Sequence, residues 1–155
     1  MSDTGQQKQF YILRHGQAEN GFPDATRELT QTGRSDLNQI LTGVADRLLD
    51  IEVLIASSLV RAQQTAEIAK EILVPDLPII TSDDIRPWSS PRGFLDELDK
   101  MTNTPVMIVS HQPFVGELIA YFANVDIHMP PSSVAALQYE HVGRGCAELL
   151  WVESP

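Results

Sequence analysis

Phe10 to Gly16 reads F-Y-I-L-R-H-G, four apolar residues followed by an arginine, a histidine and a glycine. A short apolar run that breaks into a polar, glycine-containing stretch is the pattern of a buried strand running out into a loop. Beyond it, Thr32-Gly33 opens a segment in which Leu37, Ile40, Leu41, Val44 and Leu48 fall on one helical face. Val53 to Ala56 (VLIA) then forms a second strand. Ser57-Ser58 offers an N-cap for a helix carrying Ala62, Ala66, Ala69 and Leu73, which Val74-Pro75 ends. Pro78 to Thr81 is a third strand, Asp83 to Gly93 an irregular loop, and Phe94, Leu95, Leu98 and Met101 trace a further helix. Pro105 to Ser110 (PVMIVS) is the clearest strand; His111-Gln112-Pro113 follows it, with Pro113 placed in the first turn of a helix reaching about Asn124. The tail, Val134 to Tyr139 and Cys146 to Val152 around Gly143-Arg144-Gly145, reads as an antiparallel hairpin.

Strands alternating with helices in this order predict an α/β fold: a mostly parallel central sheet, helices on both faces and an antiparallel C-terminal hairpin. There is no repeat, low-complexity tract or linker, so residues 1–155 are expected to form a single domain. In such folds ligands bind at the carboxyl ends of the strands.

Composition narrows the function. With 11 Lys and Arg against 21 Asp and Glu, the net charge is −10, which would repel nucleic acids and anionic membranes. Eight of the 11 basic residues are Arg, the side chain suited to forked contacts with phosphate or carboxylate, although codon usage gives the same bias. The lone Cys146 excludes an internal disulfide and a cysteine-based zinc cage. Met1 to Gln9 is polar without an apolar targeting core, the Met-Ser start lacks a myristoylation glycine, and no run approaches a membrane span; a cytoplasmic location is the expectation.

Three strands each deliver residues able to handle a phosphoryl group: Arg14-His15-Gly16; Ser57 and Ser58 with Arg61; and His111. Each alone would be an ordinary solvated or satisfied side chain. Together at neighbouring strand ends they suit phosphoryl transfer, since Arg grips two oxygens while His serves as donor, base or nucleophile. A histidine nucleophile would form a covalent phosphohistidine, and the arginines would stabilise the charge spread over the transferring oxygens. His15, His111, His128 and His141 show no metal-ligand spacing, so neither a metal nor another cofactor is expected.

Four segments in order extend this reading. Leu13-Arg14-His15-Gly16; Arg27-Glu28-Leu29-Thr30 with Gly33; Ser57 to Thr65 (SSLVRAQQT); and Val109 to Gly116 (VSHQPFVG) resemble the signatures of the histidine phosphatase superfamily, the phosphoglycerate mutase-like fold. The short length, the Pro130-Pro131-Ser132-Ser133 turn and the ending Ala147 to Trp151 resemble its bacterial phosphohistidine phosphatases, which lack the insertions of the mutase branch. The resemblance implies that His15 is the nucleophile, that Arg14 and Arg61 bind the phosphoryl oxygens and that His111 completes the pocket. It places the general acid at Asp84, with Glu19 and Asp24 as rivals. The implied reaction is removal of phosphate from a histidine-containing phosphotransfer domain of a two-component sensor kinase, by an enzyme expected to be monomeric. A small-molecule phosphomonoesterase and a non-catalytic phosphoprotein-binding module are the alternatives. Within 83–103, Trp88 belongs either to a docking surface or to the core beneath that loop, whereas Asp96, Glu97 and Asp99 mark the solvated side of a helix.

Overall fold

Residues 10–13 alternate between two cores, and that alternation organises the fold. In the computed structural model, which describes residues 6–48 and 50–155, strand β1 spans Lys8–Arg14. Phe10 and Ile12 face one hydrophobic cluster while Tyr11 and Leu13 face another, and all four are buried. A strand buried on both faces must be apolar at every position, which is why FYIL lacks the polar alternation of a surface strand.

The remaining elements are α1 (Gln31–Val44), β2 (Val53–Ser57), α2 (Val60–Leu73), β3 (Ile79–Ser82), α3 (Pro91–Lys100), β4 (Val106–Ser110), α4 (Phe114–Ala123), β5 (Val134–Tyr139) and β6 (Ala147–Glu153). Six strands form one sheet in the order β3-β2-β4-β1-β5-β6. The first four are parallel, and β5 and β6 add an antiparallel hairpin on the β1 side. Leu37 and Leu41 of α1 and Ala62, Ala66 and Ala69 of α2 pack on one face. Phe94, Leu95 and Leu98 of α3 and Phe114, Leu118 and Phe122 of α4 pack on the other. Asp96, Glu97 and Asp99 are exposed on the outer side of α3. No helix among the described residues is long and apolar enough to cross a membrane. The first five residues of the polar stretch Met1 to Gln9, with the Met-Ser start, lie outside the described residues.

Local starts and stops differ from expectation in instructive ways. Helix α2 begins at Val60 with Leu59 in the capping position and no side-chain cap; Ser57, expected there, instead bonds the His111 ring, Oγ to Nε2 at 2.8 Å. Helix α1 starts earlier than Thr32-Gly33, because Thr30 Oγ1 accepts from Gly33 N at 2.9 Å and caps it. The irregular segment ends at Ser90, whose Oγ accepts from Gly93 N at 3.4 Å, and Pro91 opens α3. Pro113 lies at the cap of α4 rather than inside its first turn. Trp88 is 70% exposed, so it is not a core residue, whereas Phe94 is buried.

Residues 17–30, between β1 and α1, fold back as a strap. Glu19 N donates to Glu28 O at 2.8 Å and Thr30 N to Gln17 O at 3.0 Å. The strap presses against α1 at Gly33, where a Cβ would stand 2.2 Å from Gln17 O. Alanine is the better helix former by ~1 kcal/mol, yet a backbone oxygen cannot yield as a side chain can. Gly43, in the same helix, has open space around its Cβ direction. Gly33→Ala is therefore expected to destabilise the protein by about 1–3 kcal/mol, and Gly43→Ala to stabilise it by about 0.5–1 kcal/mol. Urea unfolding of the two variants checks the contrast; equal effects would mean that the strap does not bear on Gly33.

Candidate active site

The strand order puts the carboxyl ends of β2, β4 and β1 side by side. Arg14 and His15 leave β1, His111 leaves β4, and Arg61 enters from the first turn of α2 behind β2. The His15 and His111 rings lie 4.9 Å apart, centroid to centroid. Arg61 Nε points at His15 Nε2 at 3.4 Å. The structure thus gathers four of the five expected site residues. Asp84 stands exposed in the 3-10 turn after β3, and its carboxylate makes no hydrogen bond among the described residues.

Backbone contacts fix the loop that carries His15. His15 N donates to Ser110 O at 3.0 Å, and Ser132 N donates to His15 O at 3.1 Å. Gly16 N donates to Thr65 Oγ1 at 3.1 Å, so α2 holds the loop through the hydroxyl one turn beyond Arg61. His15 Nδ1 lies 2.7 Å from Gly16 O. A carbonyl oxygen only accepts, so Nδ1 carries the ring proton, and in the neutral ring Nε2 keeps a lone pair that accepts from Arg61 Nε at 3.4 Å.

Electrostatics keep that ring neutral. His15 is 7% exposed; burial, followed by the charges of Arg61, Arg14 and Arg27, drives its pKa down to about 3 against the opposing bond to Gly16. Burial and the neighbouring His15, Arg61 and Arg14 push His111 down to about 2. Three buried side-chain atoms, Arg14 Nε, His111 Nδ1 and Ser132 Oγ, have no hydrogen-bond partner among the described residues. Such orphans are costly in a dry interior, and the oxygens of a tetrahedral anion would satisfy them. Arg14 itself is held by Nη1 donating to Met129 O at 2.8 Å.

Several contributors were not evident as such from sequence. Gln64 clamps the strap, accepting from Leu29 N at 2.8 Å and donating to Glu28 Oε1 at 3.0 Å. Arg61, Gln64 and Thr65 share one face of α2 by their i, i+3, i+4 spacing; the spacing in SSLVRAQQT carried that signal. Asp24, weighed only as an acid, instead receives Arg61 Nη2 at 3.1 Å and Arg27 Nε at 2.9 Å. Partial burial works the other way, but these bonds hold its carboxyl below the usual range, which unsuits it as a proton donor. Glu19 is exposed, and its backbone oxygen receives Arg27 Nη1 at 3.0 Å. Among the described residues, no three His, Cys, Asp or Glu side chains gather as metal ligands.

Residues 10–90 match the family model for histidine phosphatase superfamily (branch 1), more than half of the chain. The chain belongs to the histidine phosphatase superfamily. This histidine phosphatase is 28% identical over 159 residues to phosphohistidine phosphatase SixA of Escherichia coli strain K12, covering 95% of this chain and 94% of the relative. It is also similar to a solved structure of the protein histidine phosphatase SixA complexed with tungstate, with TM-score 0.86, 25% identity, and coverage of 95% of this chain and 97% of that one. A phosphoserine phosphatase of Entamoeba histolytica, in complex with 3-phosphoglyceric acid, shares the fold at TM-score 0.70 and 16% identity over 95% of this chain and 97% of that chain.

The lowered pKa values have a measurable sign. A histidine whose folded pKa lies below the ordinary 6.5 takes up its proton more readily in the unfolded state, so stability falls as pH drops below 6.5 towards 3. In a titration followed by imidazole NMR shifts, His15 and His111 are expected to stay flat between pH 8 and 5 in the phosphate-free protein. A midpoint near 6.5 for either ring would contradict the electrostatic picture.

Proposed function

We propose that this histidine phosphatase removes phosphate from phosphohistidine on a protein, through a phosphohistidine intermediate on His15, with a histidine-containing phosphotransfer domain of a two-component sensor kinase in the cytoplasm as substrate. The observation that carries the reading is the neutral His15 ring, whose Nε2 lone pair accepts only from Arg61 Nε at 3.4 Å, beside Arg14 Nε and His111 Nδ1, which have no hydrogen-bond partner among the described residues. Similarity to SixA supports the substrate class, and the tungstate in that structure is a tetrahedral oxyanion like phosphate.

In the proposed path His15 Nε2 attacks phosphorus in line, the P–N bond to the substrate histidine breaks, and the electron pair leaves with that imidazole. Nδ1–H remains on Gly16 O and shares the positive charge that the ring acquires on phosphorylation. Arg14, Arg61 and His111 hold the phosphoryl oxygens. Water then attacks phosphorus, releases phosphate and restores the neutral ring. The labile P–N bond needs less protonation than a sugar alkoxide, so a weakly held acid suffices. Asp84 fits that role better than Asp24, whose carboxylate is already engaged by two guanidinium groups.

An open approach supports a protein substrate. Among the described residues, the connections after β1 and β3 contain only the 3-10 turns Asp24–Thr26 and Asp83–Ile85, and α2 and α4 follow β2 and β4 closely, so no helical subdomain covers the site. Two aromatic residues stand exposed on these connections: Phe22 at 97% and Trp88 at 70%. The Phe22 connection leads to α1 on one face of the sheet and the Trp88 connection to α3 on the other.

Phosphate release from a phosphorylated histidine phosphotransfer domain, run beside a panel of sugar phosphates and with EDTA, tests this function. Release from the protein substrate is expected to be fast and insensitive to EDTA, absent in His15→Ala, and slowed on the order of 10²–10³-fold in Arg61→Ala. Turnover of sugar phosphates in its place would make the enzyme a phosphomonoesterase, and silence on both would favour a phosphoprotein-binding module.

A further inference from the structure

The guanidinium of Arg61 is already occupied before any substrate arrives. It is 4% exposed, and Asp24 takes two of its donors: Nη1 donates to the backbone oxygen at 2.8 Å and Nη2 to Oδ2 at 3.1 Å. The other carboxylate oxygen, Oδ1, receives Arg27 Nε at 2.9 Å, and Arg27 Nη1 returns to the strap at Glu19 O, 3.0 Å away. What remains of Arg61 is directed by that clamp, with Nε facing His15 Nε2 at 3.4 Å.

We propose that Asp24 is a positioning residue and a resident anion: it fixes the plane of Arg61 against His15 and competes with the phosphoryl group for the same guanidinium. This rests on the reading that the pocket takes a phosphoryl group. The competition follows from charge. Arg14, Arg27 and Arg61 place three positive charges near a neutral histidine pair, and Asp24 is the one carboxylate bonded to Arg61 among the described residues. Without it the field at the pocket is more positive, so phosphate is held harder in the ground state. Binding substrate or product more tightly does not speed the reaction, and tightly held phosphate leaves slowly. With 58% of its side chain exposed, Asp24 has room to swing aside when a better anion enters. Its strap is pinned on either side of Asp24, at Glu19–Glu28 and by Gln64 on Leu29, so the clamp re-forms without refolding the loop.

Asp24→Asn keeps the shape and an accepting oxygen but removes the charge; Asp24→Ala removes both. Calorimetric titration of the full-length protein with inorganic phosphate is read together with kcat and KM on a phosphohistidine protein. In Asp24→Asn, phosphate is expected to bind about threefold to tenfold more tightly, and kcat and KM are expected to fall together. Asp24→Ala is expected to lose more kcat than Asp24→Asn, because the guanidinium also loses its guide. A merely structural role would move these quantities the other way, raising KM and weakening phosphate binding. Phosphate affinity unchanged or weaker in Asp24→Asn would overturn the inference while leaving the proposed reaction standing. Failure of the unaltered protein to bind phosphate would overturn both.

Discussion

The hydrogen bond from His15 Nδ1–H to the carbonyl of the next residue, Gly16, is short at 2.7 Å and sequence-local, and the chemistry depends on it. It commits one ring nitrogen to the backbone, which selects the tautomer and leaves the other nitrogen with the lone pair that the proposed attack requires. At Gly16 an added Cβ would stand 2.8 Å from Leu37 Cδ1 of α1, so the loop lies close against that helix. The loop in turn is held from three sides: Ser110 of β4, Ser132 before β5 and Thr65 of α2. Sheet order, helix register and the strap between β1 and α1 all serve to keep this one ring where it is.

The second constraint is charge. An acidic chain of net charge −10 collects Arg14, Arg27 and Arg61 at the carboxyl edge of its sheet and surrounds two histidines with them. Burial and those cations keep both rings neutral, so the pocket holds positive charge on groups that cannot release a proton and a lone pair on the group proposed to attack. Asp24 offsets part of that charge without entering the ring's hydrogen bonds. Fixed donors of this kind need little rearrangement as charge shifts towards the transition state, which is where electrostatic catalysis has its advantage.

Much of this was legible in the sequence because it rests on local pattern. FYIL, VLIA and PVMIVS are buried strands whose carboxyl ends lie side by side, which brings Arg14, His15 and His111 together, with Arg61 entering from the first turn of the helix after VLIA. The R-x-L-T-x-x-G spacing of Arg27 to Gly33 decodes into an arginine clamp, a core leucine, a helix cap and a glycine with no room for a side chain. What escaped depends on contacts distant in sequence. Ser57 looks like a helix cap until His111, 54 residues away, claims its hydroxyl. Asp24 looks like a loop acid until Arg61, 37 residues on, takes its carboxylate. Trp88 could not be placed from its neighbours, since an exposed and a buried tryptophan have the same local surroundings in a loop rich in proline and charge.

The central claim is that phosphate passes through Nε2 of His15. Rapid mixing of the enzyme with a labelled phosphohistidine protein, followed by an alkaline quench, proteolysis and mass analysis, traps that species directly. The account predicts an acid-labile, base-stable phosphate on the peptide bearing His15, attached at Nε2 and appearing before free phosphate. Label at Nδ1, label on a different residue, or release of phosphate with no enzyme-bound label at any time would contradict it.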